Sequence, residues 1–319
     1  MNQRSMGRCG LTCSEVGLGT WAFASRIYGD VAENDALHAI HAALDAGITL
    51  FDTAPLYGTA DEDGVAETLL GRGLGSARND VLISSKFGRY ATEKAAPNFH
   101  ARRARESVEG SLRRLQTDRI DILFFHSPFG PEDIHDDVWE ELERLQTEGK
   151  IRVIGHSISK FEETEAMARS WAAERRIDVI QVVYSLMNRQ SSRLIADLGA
   201  AGVGIVARES LANGFLSGAI TAETVFPAGS LNARYSREEI AERVRYVNTL
   251  SFLVDGEIHS MPQAAYRWVL DHPHVAVVLS GARNAAELAD AVFASKAPPF
   301  TADEHAHAAA WHVHDFQAA

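Results

Sequence analysis

Val16-Gly17-Leu18-Gly19-Thr20-Trp21 decides the fold of this 319-residue chain. Its first four residues make a short apolar run suited to a buried strand, and the chain then turns at Gly19-Thr20-Trp21. An open, doubly wound sheet would carry a glycine-rich G-x-G-x-x-G turn after its first strand. No such pattern stands here. Seven further apolar runs follow, at 48–51, 81–84, 120–125, 151–154, 179–183, 203–206 and 275–279. Between and after them, segments 33–45, 63–70, 101–115, 137–147, 161–174, 190–198, 261–270 and 284–294 show helical spacing, as in Val108, Leu112 and Leu115. Asn34, Asp63 and Asn284 are placed to cap helix starts, and Gly47, Gly149 and Gly202 to end helices. Alternating strands and helices imply parallel pairing with right-handed crossovers, and eight strands is the number that closes a barrel. The expected fold is a (β/α)8 barrel.

Two segments lie outside this alternation. Residues 6–13 read as a short hairpin turning at Cys9-Gly10, and 211–236 as a long loop after the seventh strand. Long loops are often functional, and this one would lie at the C-terminal mouth where barrel active sites are built. No repeat or low-complexity linker interrupts the chain, so 1–319 reads as one domain.

Composition narrows the function classes. The net charge is −12, from 43 acidic and 31 basic residues, which disfavours nucleic acid and anionic membranes as partners. The first residues lack a secretory h-region, and no apolar run approaches the ~20 residues of a membrane helix, so a cytoplasmic protein is expected. Cys9 and Cys13, the only two cysteines, read as reduced thiols. His305, His307, His312 and His314 lack a recognisable zinc spacing and read as a solvated tail or helix; no metal site is expected.

Polar residues at the strand ends carry the chemistry. Asp52 ends the second strand, and Tyr57 follows in Phe-Asp-Thr-Ala-Pro-Leu-Tyr-Gly. Lys86 ends the third strand and His126 the fourth. A tyrosine phenol, with a pKa of about 10, exchanges its proton poorly at neutral pH. An adjacent ammonium favours the phenolate, a carboxylate can pair that ammonium, and a histidine can orient a carbonyl oxygen. The four residues together suit a proton donor matched to hydride delivery at carbon. A metal-dependent hydrolase would want ligands at the first strand end, where only Gly19-Thr20-Trp21 stands. A retaining glycosidase needs two facing carboxylates, whereas only Asp52 and Glu209 are available at strand ends.

The sequence resembles the aldo-keto reductase superfamily through nearly its whole length. Matching pieces include Gly17-Leu18-Gly19-Thr20-Trp21, Ser85-Lys86-Phe87, Phe125-His126-Ser127, Gly155-His156-Ser157, Gln181-Val182-Val183-Tyr184, Leu211-Ala212-Asn213-Gly214 and Gly281-Ala282-Arg283-Asn284, together with residues 51–58. The resemblance implies a catalytic tetrad of Asp52, Tyr57, Lys86 and His126, with NADPH/NADP+ lying across the barrel mouth. It further implies cofactor contacts from Thr20, Trp21, Asp52, Ser157, Gln181, Arg208, Leu211, Asn213, Gly214, Gly281, Arg283 and Glu287. Four positions depart from the family pattern. Ile158 replaces an Asn beside the carboxamide, Arg208 replaces a stacking Tyr, and Glu287 and Ala291 replace a Gln and an Asn near the adenosine. Arg283, at a helix start, suits the 2′-phosphate of NADPH. The implied substrate is a small carbonyl or alcohol compound, with Trp21, Phe87, Phe129 and the 211–236 loop as pocket residues. The alternative within this resemblance is a cofactor-binding regulatory protein with slow turnover.

Overall fold

The computed structural model describes residues 1–24, 31–93, 96–312 and 314–316. A closed parallel barrel forms from β3 (Val16–Gly19), β4 (Leu50–Asp52), β5 (Leu82–Phe87), β6 (Ile120–His126), β7 (Ile151–Ser157), β8 (Val179–Val183), β9 (Gly204–Arg208) and β10 (Val277–Ser280). β10 pairs with β3 and closes the ring. The expected (β/α)8 barrel is therefore the fold.

The ring is covered by α1 (Glu33–Asp45), α2 (Val65–Leu74), α3 (Ala101–Leu115), α4 (Asp137–Thr147), α5 (Phe161–Ala173), α6 (Ser192–Ala200), α8 (Met261–Leu270) and α9 (Ala285–Ala294), with α7 (Arg237–Thr249) and α10 (Ala302–Trp311) added outside the repeat. Asn284 accepts the Glu287 N–H and caps α9 as its sequence position predicts. Asn34 and Asp63 do not cap. α1 begins at Glu33, after Ala32, which leaves Asn34 inside the helix. Asp63 instead accepts the Thr92 N–H at 2.9 Å and its hydroxyl at 3.1 Å, and α2 starts after left-handed Gly64. None of the helices among the described residues is long and apolar enough to cross a membrane.

The N-terminal hairpin has shifted arms: β1 (Gln3–Ser5) pairs antiparallel with β2 (Thr12–Ser14). Most of the expected 6–13 hairpin is thus its connection, because Met6 and Leu11 turn inward. These two side chains and Cys13 pack with Leu50, Ile122, Phe124 and Val206, closing the bottom of the barrel. Gly7 lets the connection lie against the seventh barrel strand: at φ +67°, a Cβ there would sit 2.2 Å from the Gly202 carbonyl oxygen. With the floor filled by these side chains, Asp52, Lys86 and His126 lie toward the opposite mouth, at the C-terminal ends of their strands.

Candidate active site

β4, β5, β6 and β7 run one to three residues past their apolar stretches, so Asp52, Lys86, His126 and Ser157 belong to the ladders. Asp52 is in register with Ser84, His126 with Ser157, and Ser157 with Gln181. This fixes their backbones on neighbouring, hydrogen-bonded strands rather than on free loops. Tyr57 comes from the β4–α2 connection, where its N–H reaches the Ala54 carbonyl at 3.0 Å and its carbonyl accepts the Ala66 N–H at 3.0 Å.

Lys86 is the hub. Its buried ammonium donates to Asp52 Oδ2 at 2.7 Å, the Thr53 carbonyl at 2.9 Å and the Tyr57 hydroxyl at 2.9 Å. The second oxygen of Asp52 accepts from Ser84 Oγ at 2.7 Å and Gln181 Nε2 at 2.9 Å. The His126 ring meets the Tyr57 ring edge-on, 5.9 Å between centroids, and Trp21 lies 6.3 Å away on a tilted plane. His126 Nδ1 is buried without a hydrogen-bond partner among the described residues.

Burial sets the direction of the titrations. It raises the Tyr57 pKa, while Lys86 pulls in the opposite sense and Asp52 adds to the rise. The sequence expectation that Lys86 would bring the phenol below its usual value therefore holds only for Lys86's own contribution. Burial outweighs it in the protein without cofactor. Burial alone would lower Lys86, but Asp52 and the phenol hold it above its usual value. For His126, burial, then Lys86, Arg89 and Arg208, drive the imidazole well below its usual range. The result is a neutral phenol, a charged ammonium and a neutral imidazole facing one mouth.

The residues implied for the cofactor form two sets. Near the tetrad, Thr20 donates its N–H and hydroxyl to the Asp52 carbonyl at 2.9 and 3.0 Å, and Ser157 donates to Gln181 Oε1 at 3.2 Å. Ile158 is buried, and its carbonyl accepts from Arg208 at 3.0 Å. Arg208 also pairs with the adjacent Glu209, and its Nε is buried without a partner among the described residues. Leu211, Asn213 and Gly214 open the loop after β9, with Asn213 at φ +55° and Gly214 at φ +93°. Asn232, further along this loop, donates to the Asn213 carbonyl at 2.8 Å and holds it folded.

The second set lies at the β10–α9 junction. Gly281 leaves open space where a side chain would stand. Glu287 accepts from the Arg283 backbone N–H at 2.9 Å and from its guanidinium at 2.6 Å. Phe87 is not a pocket residue. It is fully buried against Phe99 and Phe125, because strand alternation turns it outward while Lys86 points in. Sequence reading missed Ser84 and Arg89. Ser84 could have been found from the period of two, which puts it on the same face as Lys86.

The four C-terminal histidines are engaged separately. His305 contacts Asp271, His307 accepts from Trp311, His312 contacts Tyr246 and Asp315, and His314 approaches Glu242. Among the described residues there is no group of three or more side chains that could hold a metal ion.

Comparison with known proteins agrees with this architecture. The family model of the aldo/keto reductase family matches residues 15–311. Aldo-keto reductase YhdN of Bacillus subtilis is 33% identical over 298 residues, covering 90% of this chain and 87% of that protein. L-galactose dehydrogenase of Arabidopsis thaliana is 35% identical over 224 residues, 67% of this chain and 66% of that one. Among solved structures, a glycerol dehydrogenase from Gluconobacter oxydans superposes with a TM-score of 0.82 at 27% identity, covering 98% of this chain and 96% of its own. The chain belongs to the aldo/keto reductase family and is an oxidoreductase of that family.

Proposed function

We propose that this protein transfers a hydride between NADP(H) and a small carbonyl or alcohol compound, with Tyr57 as general acid and base. The observation that carries the reading is the buried chain Asp52–Lys86–Tyr57, with links of 2.7 and 2.9 Å. The nicotinamide ring, when bound, supplies or accepts the hydride. Tyr57 gives its hydroxyl proton to the carbonyl oxygen in reduction and takes it back in oxidation. Lys86 stays protonated and steadies the phenolate between turnovers, and Asp52 keeps that ammonium in place. His126, neutral through burial and its cationic neighbours, directs an N–H at the carbonyl oxygen.

The chain's own groups fit such a cofactor. Ser157 and Gln181 are buried polar residues at the mouth suited to a carboxamide, and the orphaned Arg208 Nε suits an acceptor beside them. Trp21 and Thr20 would flank the nicotinamide end, Leu211, Asn213 and Gly214 the pyrophosphate, and Gly281, Arg283 and Glu287 the adenosine. Arg283 supports NADPH over NADH. Residues 1–319 would act as one domain. Two free thiols are in keeping with the cytoplasm, and the net charge of −12 argues against nucleic acid as a partner.

The test is a screen with NADPH and NADP+ against aldehydes, ketones, aldoses and sugar alcohols, following absorbance of the reduced cofactor. Turnover of at least one class is expected. Tight NADPH binding with no hydride exchange across the panel would overturn the reading in favour of a regulatory, cofactor-binding protein.

A further inference from the structure

Resting on that hydride-transfer reading, we infer that the preferred substrate is an anion, whose carboxylate or phosphate is bound by Arg89 at the rim of the mouth. Arg89 follows Lys86 by three residues, and its path is built. Gly88 sits at φ +95°, where a Cβ would come within 2.1 Å of the Phe99 ring. Gly88 therefore lets the chain turn sharply after β5. Arg89 is half-buried, with its guanidinium carbon 5.5 Å from the Phe129 ring centroid. Lys160, from the loop after β7, places its ammonium 4.1 Å from the same centroid.

Two cations thus share one aromatic ring, and among the described residues neither has a carboxylate ion pair. The nearby carboxylates are committed elsewhere. Asp52 serves Lys86, Ser84 and Gln181, and Glu209 pairs with Arg208. Asp133 accepts the Phe129 backbone N–H at 2.6 Å. Burial lowers the Arg89 pKa and Arg208 pushes the same way, while Tyr57 and Asp133 oppose. A partly desolvated guanidinium without a counter-ion is costly, and a bound carboxylate or phosphate would relieve it in forked geometry.

The position suits a substrate rather than the cofactor. Arg89 bears electrostatically on both Tyr57 and His126, so an anion there would hold a carbonyl group close to the proton donor. Around the closed ring, β5 is opposite β9, whose following loop holds Leu211, Asn213 and Gly214. In a chain of net charge −12, a mouth gathering Lys86, Arg89, Lys160 and Arg208 is a local reversal of sign.

The experiment compares succinic semialdehyde with butanal, and phosphoglycolaldehyde with glycolaldehyde, using wild type, Arg89→Leu and Arg89→Lys. Because Arg89 also acts on the phenol, the ratio of kcat/KM within each pair is the quantity to read. Wild type is expected to favour the charged member of at least one pair by roughly ten- to a hundredfold. The pair that responds tells carboxylate from phosphate. Arg89→Leu should bring that ratio close to unity, and Arg89→Lys should restore part of it, with NADPH titration confirming that the variants fold. Equal use of charged and neutral members by wild type, or a preference that survives Arg89→Leu, overturns the assignment. Calorimetric titration of butanoate and of phosphate into the NADP+-loaded protein separates the two readings. Binding of either anion that is lost in Arg89→Leu, with no aldehyde reduced, would uphold the anion site while removing the hydride-transfer reading. Reduction of neutral aldehydes without any charged preference would do the reverse.

Discussion

At Tyr57 three influences compete: burial raises the phenol's pKa, the Lys86 ammonium lowers it, and the Asp52 carboxylate raises it. Their signs make two opposite expectations. Lys86→Met removes the lowering charge, so the rise of alcohol oxidation with pH, which needs phenolate, should move to higher pH. Asp52→Asn removes a raising charge and should move it the other way, more modestly. Rate–pH profiles of both variants decide this, and two unchanged profiles would break the link between Lys86 and Tyr57. That these four residues gather at one mouth was legible in the sequence, because Asp52, Lys86 and His126 lie at the ends of strands and Tyr57 stands in the connection after one. The bond from Gln181 to Asp52 was not, because the two meet only through barrel closure from 129 residues apart. Arg283 is the second case at this scale. Glu287 holds both its backbone N–H and its guanidinium, so an arriving 2′-phosphate must displace a carboxylate. Arg283→Ala is expected to weaken NADPH binding about tenfold or more and to leave NADH binding nearly unchanged. Glu287→Gln should tighten NADPH binding. Fluorescence titration of both cofactors measures these effects, and equal losses for NADPH and NADH in Arg283→Ala would remove the 2′-phosphate assignment.

Among the elements, sequence periodicity recovered those whose apolar face is continuous. α1, α3, α4 and α8 have the bounds read from the sequence. α7 was overlooked because its sequence is strongly charged, with buried positions only at Ile240, Arg243 and Tyr246. Its start was nonetheless written in the chain: Ser236 and Glu239 form a reciprocal capping box. That helix anchors the loop beside the mouth, since Arg243 lies 4.0 Å from the centroid of the Tyr235 ring. Ser236→Ala should therefore cost about 1 kcal/mol of stability in urea unfolding. A change within error would show that the box contributes nothing to the fold. The misplaced hairpin has a different cause. Its connecting residues are apolar because they fill the barrel floor, and apolarity alone does not distinguish a strand from a plug.

For the molecule as a whole, the barrel separates a dry structural layer from the reactive mouth, and His156 belongs to the dry layer. It is fully buried, packs 5.0 Å from Trp171, and neither ring nitrogen has a partner among the described residues. Burial lowers its pKa from 6.5 to about 3. The unfolded chain binds this proton between those values and the folded chain does not, so the native state is favoured above 6.5 and loses stability as pH falls toward 3. The slope is up to about 1.4 kcal/mol per pH unit. His156→Leu should flatten the decline in urea midpoint across that window by about one proton's worth, and an unchanged slope would assign the acid sensitivity to other groups.

All of these features serve one claim, that a phenol held against a buried ammonium passes a proton while hydride moves at the neighbouring carbon. Tyr57→Phe tests it most directly, because it keeps the ring and removes the hydroxyl. With the best aldehyde from the screen, reduction by the variant is expected to fall at least about a hundredfold while NADPH titrates as it does in wild type. A rate within a factor of a few of wild type, from a variant that binds NADPH normally, would contradict the mechanism.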